Sequence, residues 1–353
     1  MRISTSQFHS QGINAIQKHQ ESLLDMQMKL SSGKKVNQAS DDPVAMSQIH
    51  SLNRAMKTID QYADNGSYAK TQLVQEETAI QDTTSSLERA RELGLQMLNG
   101  VYNEGNRLAA SEEVGQIIQQ VRNMMNYTTS EGDSLFAGND VDKKPYVPDS
   151  ATYDDTLTVP VETFSGFYSY IGNLPVADPD YSPTAGFGSR FVQIGFDANN
   201  KHESDDKGDA SRVRVSDSGS SVFNIPGGAT SLAKYDDGGG NPPDENILNV
   251  LIEMKRKLAS GEPMTDDVVA DITSSITKMT QVRAEVGGRL TRIENQYDAG
   301  ENFKITLTER RSGLEDQDLV TGISDFTRNQ NALQMAQQIF SKVQNLSLFN
   351  YLR

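Results

Sequence analysis

Apolar positions recur every seven residues near both ends of this 353-residue chain and lose that order in the middle. Near the start, Ile16, Leu23 and Leu30 form one row, with Ile13, Gln20 and Gln27 on the companion row. This predicts a helix over residues 5–30, ended by Ser31, Ser32 and Gly33. Half of its seam is glutamine, so it reads as a weak coiled coil that needs partners. Asp41-Asp42-Pro43 is a helix start: an Asp can cap, proline suits the first turn, and acidic charge suits the positive helix end. From there Leu52, Ile59, Gly66, Leu73, Ile80, Leu87 and Gly94 make one unbroken row, and Ile49, Met56 and Ala63 begin its companion. A shorter helix is expected over residues 106–129, carrying Ala110, Val114, Ile117, Val121 and Met124.

The returning half mirrors this pattern. Ile247, Leu251, Met254 and Leu258 predict a short helix that stops near Gly261. Val269, Ile272, Ile276, Met279, Arg283, Val286, Leu290, Ile293 and Tyr297 form a continuous stripe, and Ala332, Ala336, Ile339, Val343 and Leu346 mark a last helix. A 3.5-residue period predicts left-handed supercoiling. Gly287-Gly288 interrupts the long stripe at about 1 kcal/mol per glycine. It marks either a break in the helix or the close approach of another backbone. The last helix is expected to lack a partner long enough to cover it within the chain.

Residues 141–243 hold nine of the eleven prolines and carry 15 acidic against 8 basic residues. Residues 190–196 and 212–215 alternate as strands do, and glycine and proline clusters punctuate the rest as loops. The expected fold is therefore mainly α with a β-rich insertion. The N- and C-terminal segments form an elongated coiled-coil helical bundle around a central β domain. The expected division is a terminal coiled-coil assembly segment (residues 1–40 and 315–353), an inner helical bundle (41–140 and 244–314) and an outer β-rich domain (141–243).

Composition narrows the function. The apolar fraction is 36%, enough for thin helical seams rather than one large spherical core. A net charge of −15 argues against nucleic acid and anionic membranes as partners. There is no cysteine, so no disulfide, thiolate nucleophile or Cys-ligated zinc is available. No window approaches the roughly 18 consecutive apolar residues of a membrane span. No apolar stretch follows Met1-Arg2-Ile3 as in a cleaved secretory signal. Export, if it occurs, then requires a dedicated machine that reads an uncleaved segment. His9, His19, His50 and His202 stand in no ligand spacing. In Asp205-Asp206-Lys207-Gly208-Asp209 a lysine occupies a ligand place of a calcium loop, which leaves a solvated charged loop. No phosphate loop or nucleophile elbow is present. The expectation is a non-enzyme with no catalytic residue, cofactor or metal.

The segment Leu30-Ser31-Ser32-Gly33-Lys34-Lys35-Val36-Asn37-Gln38-Ala39-Ser40-Asp41-Asp42-Pro43 resembles the signature loop of the flagellin superfamily. Arg311-Ser312-Gly313-Leu314-Glu315-Asp316, Asn331-Ala332-Leu333-Gln334 and Leu346-Ser347-Leu348-Phe349 resemble its closing helix, although Met335 stands where a small residue is usual. Met1-Arg2-Ile3-Ser4-Thr5, Ser134-Leu135-Phe136-Ala137-Gly138 and the ending Phe349-Asn350-Tyr351-Leu352 are similar to the superfamily members at the hook–filament junction.

The resemblance implies a structural subunit exported from the cytoplasm through the flagellar type III channel. It would work outside the cell at the junction. The implied partners are copies of itself in a ring of subunits, the first hook–filament junction protein or the hook protein, flagellin, and a cytoplasmic export chaperone at the C-terminus. The implied assembly contacts are Ile13, Ile16, Leu23 and Leu30 at one end and Leu333, Ile339, Phe340, Val343, Leu346, Leu348 and Phe349 at the other. The signature loop contributes Ser31, Ser32, Gly33, Asn37, Asp41, Asp42 and Pro43. Two other readings stand beside this one. The first is a filament subunit, because Leu87-Glu88-Arg89-Ala90-Arg91-Glu92-Leu93 resembles the flagellin segment that animal innate receptors recognise. The second is a secreted adhesin that binds through the acidic central domain.

Overall fold

Pro43 opens a helix of 56 residues, α2 (Pro43–Leu98). Asp42 caps it: its Oδ1 accepts from the backbone N–H of Val44 at 3.0 Å and of Ala45 at 2.9 Å. No proline follows inside the helix to stop it. The computed structural model describes residues 2–99, 102–155, 163–185, 190–196 and 211–349, and within these the side chains of residues 2–6, 8 and 343–349 lie outside the description. The remaining helices are α1 (Arg2–Ser32), α3 (Glu104–Met125), the short α4 (Gly219–Phe223), α5 (Ile247–Ser260), α6 (Asp266–Glu315) and α7 (Leu319–Phe349). Asn246 caps α5 by accepting from the Asn249 N–H, and Gly261 ends it in the left-handed conformation at φ +80°.

Short strands occupy the central segment. β1 (Tyr146–Pro148) pairs antiparallel with β4 (Tyr168–Tyr170), with Tyr146 opposite Tyr170. β2 (Tyr153–Asp155) lies between β3 (Thr163–Phe164) and β7 (Tyr235–Asp236). β5 (Phe191–Gln193) and β6 (Arg212–Arg214) fall in the two stretches whose alternation predicts strands, and they pair antiparallel with Phe191 opposite Arg214.

The chain forms two compact units, one of Met1–Asp60 with Glu301–Arg353 and the other of Gln61–Gly300. In the larger unit α2 and α6 pack antiparallel. A Cβ on Gly66 would meet Ile293 at 3.4 Å, and one on Gly94 would meet Val269 at 3.0 Å. Leu73, Ile80 and Leu87 are fully buried along this seam, as are Ile272, Met279 and Val286 from the other side. Ion pairs Arg283–Glu77 and Lys70–Glu294, each 2.9 Å, flank it.

The central segment shares this core, with Tyr146, Phe167, Tyr170 and Phe223 buried in the same cluster. Asn126, just past α3, brackets Tyr146 with two bonds: its Oδ1 accepts the Tyr146 N–H at 2.8 Å and its Nδ2 donates to the Tyr146 carbonyl at 3.0 Å. Asn249 of α5 does the same to Tyr168, with both bonds at 2.8 Å. The buried Glu253 is tolerated because three donors converge on it. They are Tyr235 Oη at 2.6 Å, Arg256 Nε at 2.9 Å and Lys234 Nζ at 3.1 Å.

In the smaller unit α1 and α7 run antiparallel. A Cβ on Gly12 would come within 2.8 Å of Phe340, and one on Gly322 within 2.9 Å of Leu30. Met56, Ile59 and Leu307 form a further buried cluster, beside the Lys304–Asp60 ion pair at 2.6 Å.

Four expectations change. α6 runs unbroken through Gly287 and Gly288, and among the described residues a Cβ on either would meet nothing within 4 Å, so they mark neither a break nor a close approach of described backbone. The last helix has a partner, α1. α3 ends at Met125 because Asn126 caps it, and Met125 rather than Met124 is the buried end of its seam. Tyr297, the end of the long stripe, is exposed. His202 and the charged loop at residues 205–209 lie outside the described residues.

Two stability outcomes follow, both read by denaturant unfolding of the purified chain. Gly288→Ala should stabilise by roughly 0.5–1 kcal/mol, since helical glycine costs entropy and space is open; destabilisation would show that the position is occupied. Leu87→Ala should cost about 2–5 kcal/mol from the fully buried seam; a loss below ~1 kcal/mol would mean that the seam is slack there.

Candidate assembly surface

The turn between α1 and α2 is built by its own side chains and backbone. Gly33 takes φ +69°, which lets the Lys34 N–H reach back to the Lys29 carbonyl at 3.2 Å and end α1. Asp41 Oδ2 accepts from the N–H groups of Asn37 at 3.0 Å and Gln38 at 3.1 Å. Those backbone bonds favour the ionised form and hold the Asp41 carboxyl below its ordinary range. Asn37 Nδ2 closes the turn on the Lys34 carbonyl at 3.3 Å. Ser32 Oγ donates to the Lys29 carbonyl at 3.2 Å.

This turn is stitched to the turn between α6 and α7. The Lys35 N–H donates to the Glu315 carbonyl at 2.7 Å, and the Gln317 N–H donates to the Gly33 carbonyl at 2.8 Å. Lys35 Nζ reaches the Gly313 carbonyl at 2.8 Å, and Lys34 forms an ion pair with Glu315. Beneath the stitch Val36, Ala45 and Ile49 are buried, with Met46 and Leu314 packed against them. Asp318 caps α7 from the Val320 N–H at 3.0 Å and accepts from Thr321 Oγ1 at 2.7 Å. The Thr321 bond first, and then the backbone bonds, hold its carboxyl down.

The α1–α7 pair is thin. Among the described residues no side chain of α1 is buried, and on α7 only Gly322 is. Ile16, Leu23, Leu30, Leu333 and Phe340 are half-buried. Ile13, at 46% exposed, and Ile339, at 61%, face away from the seam together with Leu24, Met28, Ile323 and Met335. Val320 is 77% exposed. Ile323, Thr327, Arg328, Ala332 and Met335 line a shallow groove on α7. The side chains of Val343, Leu346, Leu348 and Phe349 lie outside the described residues. Of the loop residues, Gly33, Asn37, Asp41 and Asp42 have structural tasks, while Ser31 and Pro43 are exposed.

Several members of this surface do not stand out in the pattern of the sequence. His9 stacks edge-on against Phe340 with ring centroids 5.6 Å apart. Gly12 and Gly322 admit Phe340 and Leu30. Val36 and Leu314 anchor the double turn. Only Asp318, an acid directly before an apolar run, carries a local cap signal.

The bacterial flagellin N-terminal helical region matches residues 3–140, and the bacterial flagellin C-terminal helical region matches residues 269–352. Together they span well over half of the chain, which belongs to the bacterial flagellin family. "Flagellar hook-associated protein 3" of Salmonella typhimurium is 25% identical over 350 residues, 99% of each chain, and that of Escherichia coli strain K12 is 24% identical over 349 residues, again 99% of each. "Flagellin FlaB1" of Treponema pallidum is 29% identical over 110 residues, covering 31% of this chain and 38% of that protein. The fold is shared with a putative flagellar hook-associated protein from Vibrio parahaemolyticus, at TM-score 0.56 and 20% identity over 78% of this chain and 100% of that one. It is also shared with the flagellar junction protein FlgL from Legionella pneumophila, at TM-score 0.51 and 17% identity over 76% and 99%.

The Asp41 turn gives a pH-dependent outcome. A carboxyl held down in the fold contributes stability above its ordinary value of 3.8 and loses it as pH falls through the lower folded value. The amide signals of Asn37 and Gln38 should shift in that acid range in the native chain. They should stay flat in Asp41→Asn. Identical titrations of the two chains would remove the carboxylate from the turn.

Proposed function

We propose that this chain is a structural subunit of the bacterial flagellum that joins the hook to the filament. The observation that carries the reading is the extent of similarity. The two hook-associated relatives match over 99% of both chains, central segment included, whereas the flagellin FlaB1 match covers 31% of this one. Similarity over about a third of the chain is what any two members of the family could share. The thin α1–α7 pair supports an assembling subunit, because burying one exposed Leu, Ile or Met side chain against a neighbour yields about 1.5–3 kcal/mol.

In this reading copies of the chain form a ring. One side of the ring meets the first junction protein or the hook protein, and the other meets flagellin. A cytoplasmic chaperone covers the C-terminal segment before export through the type III channel, with no signal cleaved. The contacts are made by Ile13, Ile16, Leu23 and Leu30 with Leu333, Ile339, Phe340, Val343, Leu346, Leu348 and Phe349. Residues 1–40 and 315–353 serve assembly, 41–140 with 244–314 form the inner bundle, and 141–243 face outward. No catalytic task falls to any of them.

Electron microscopy of cells lacking the protein tests the role. Hooks without filaments, with flagellin released into the medium, are expected; intact filaments would overturn the reading. Deleting residues 340–353 should leave the melting of the Gln61–Gly300 unit nearly unchanged, because its seam is untouched, while chaperone binding and filament attachment are lost. Calorimetry showing a much lower melting point for that unit would assign the tail to the subunit's own core.

A further inference from the structure

Glu76 lies between the buried seam residues Leu73 and Ile80. It stands on α2 at 0% exposure, and among the described residues no N–H or O–H reaches either of its oxygens. It faces Asp217, which follows β6 and is 2% exposed. Asp217 is fully provided with donors. Arg289 of α6, 3% exposed, gives it bonds of 2.8 and 3.3 Å, and Arg214 of β6 stands 2.9 Å away. Glu285 of α6 lies 3.9 Å from both guanidinium groups. Among the described residues the charged groups here are thus Glu76 from α2, Arg214 and Asp217 from the central segment, and Glu285 and Arg289 from α6.

The guanidinium groups of Arg214 and Arg289 already face two carboxylates, Asp217 and Glu285. A third negative charge on Glu76 would be buried with no hydrogen bond from the described residues, which is among the costliest arrangements in a protein interior. A neutral Glu76 removes that charge and becomes an O–H donor aimed at the one group it faces. Two adjoining carboxyls that cannot both ionise commonly resolve the conflict in this way.

We propose that Glu76 and Asp217 share one proton in the folded protein, and that this proton fastens the chain after β6 onto α2 and α6, so that the attachment weakens as pH rises. The proton stays on a Glu76 oxygen and is donated to Asp217, whose charge the two arginines hold. The shifts agree with this. Burial first, then the charge of Asp217, push the Glu76 carboxyl well up. Burial also pushes Asp217 up, but Arg289 and Arg214 outweigh it and leave it below its ordinary value.

The sign follows from linkage. Below the ordinary glutamate value both folded and unfolded chains hold the proton and Glu76 has no effect on stability. Above it the unfolded chain releases the proton while the folded chain retains it, so stability falls with rising pH until the folded value is reached. The site is therefore a pH-sensitive fastener inside one compact unit, independent of the assembly surface.

Glu76→Gln in the full chain tests this, because the amide donates to Asp217 at every pH. Between pH 5 and pH 8 the thermal midpoint of the native chain should fall relative to the variant by several degrees, on the order of 3 °C per pH unit for one retained proton in a unit of this size. At pH 8 the variant should melt higher and protect the amides of residues 212–223 better against hydrogen exchange. Parallel midpoint profiles would overturn the proposal. If the variant does not fold, infrared spectroscopy of the native chain with isotope-labelled glutamate decides. A protonated carboxyl band persisting at pH 8 supports the shared proton, and its absence overturns it.

Discussion

Within the Gln61–Gly300 unit everything is organised by one antiparallel apolar seam, that of α2 against α6. Leu73, Ile80 and Leu87 share one buried cluster with Ile272, Met279 and Val286, and glycines at 66 and 94 let Ile293 and Val269 close in. Most of the free energy of a long thin helix pair comes from such a seam, since propensity alone holds helices weakly. The other elements inherit their places from it. α3 packs on α5, and the central strands are pinned to those helices by Asn126 and Asn249, whose amides satisfy backbone groups that the short strands leave unpaired.

The smaller unit follows the opposite logic. Its α1–α7 pair buries almost nothing completely, yet its double turn is over-determined by hydrogen bonds. The Lys35–Glu315 and Gln317–Gly33 backbone bonds, Asp41 across the turn and the buried Val36 fix where the two helices leave. A precise joint carrying incompletely covered helices is the construction expected of a subunit whose terminal faces are finished by neighbours. In the proposed assembly, the apolar area withheld from the chain's own core is the area open to a neighbouring copy.

Polar burial is the other recurring device. Glu253 collects Tyr235, Lys234 and Arg256, and Asp217 collects Arg289 and Arg214, so both of these carboxylates are matched by donors from another element. These clusters add specificity to a core whose apolar residues could slide along a repeating seam. Glu76 is the one carboxyl in this group without donors, which gives its neighbourhood a sensitivity to protons that the others lack.

The sequence by itself determined the long helices, the start at Asp42-Pro43, the stop at Gly261, the flanking of a proline-rich middle by helical ends, and the signature residues of the double turn. These are local: a seven-residue period, a cap or a left-handed glycine is written within a few neighbouring positions. The tertiary structure alone decided which helix covers which. It paired α7 with α1, joined Val36 to Leu314, passed α6 straight through Gly287 and Gly288, and brought Glu76, Asp217 and Arg289 together from three distant segments. Such contacts depend on how far apart two stretches of chain end up after folding, and no periodicity along the chain encodes that distance.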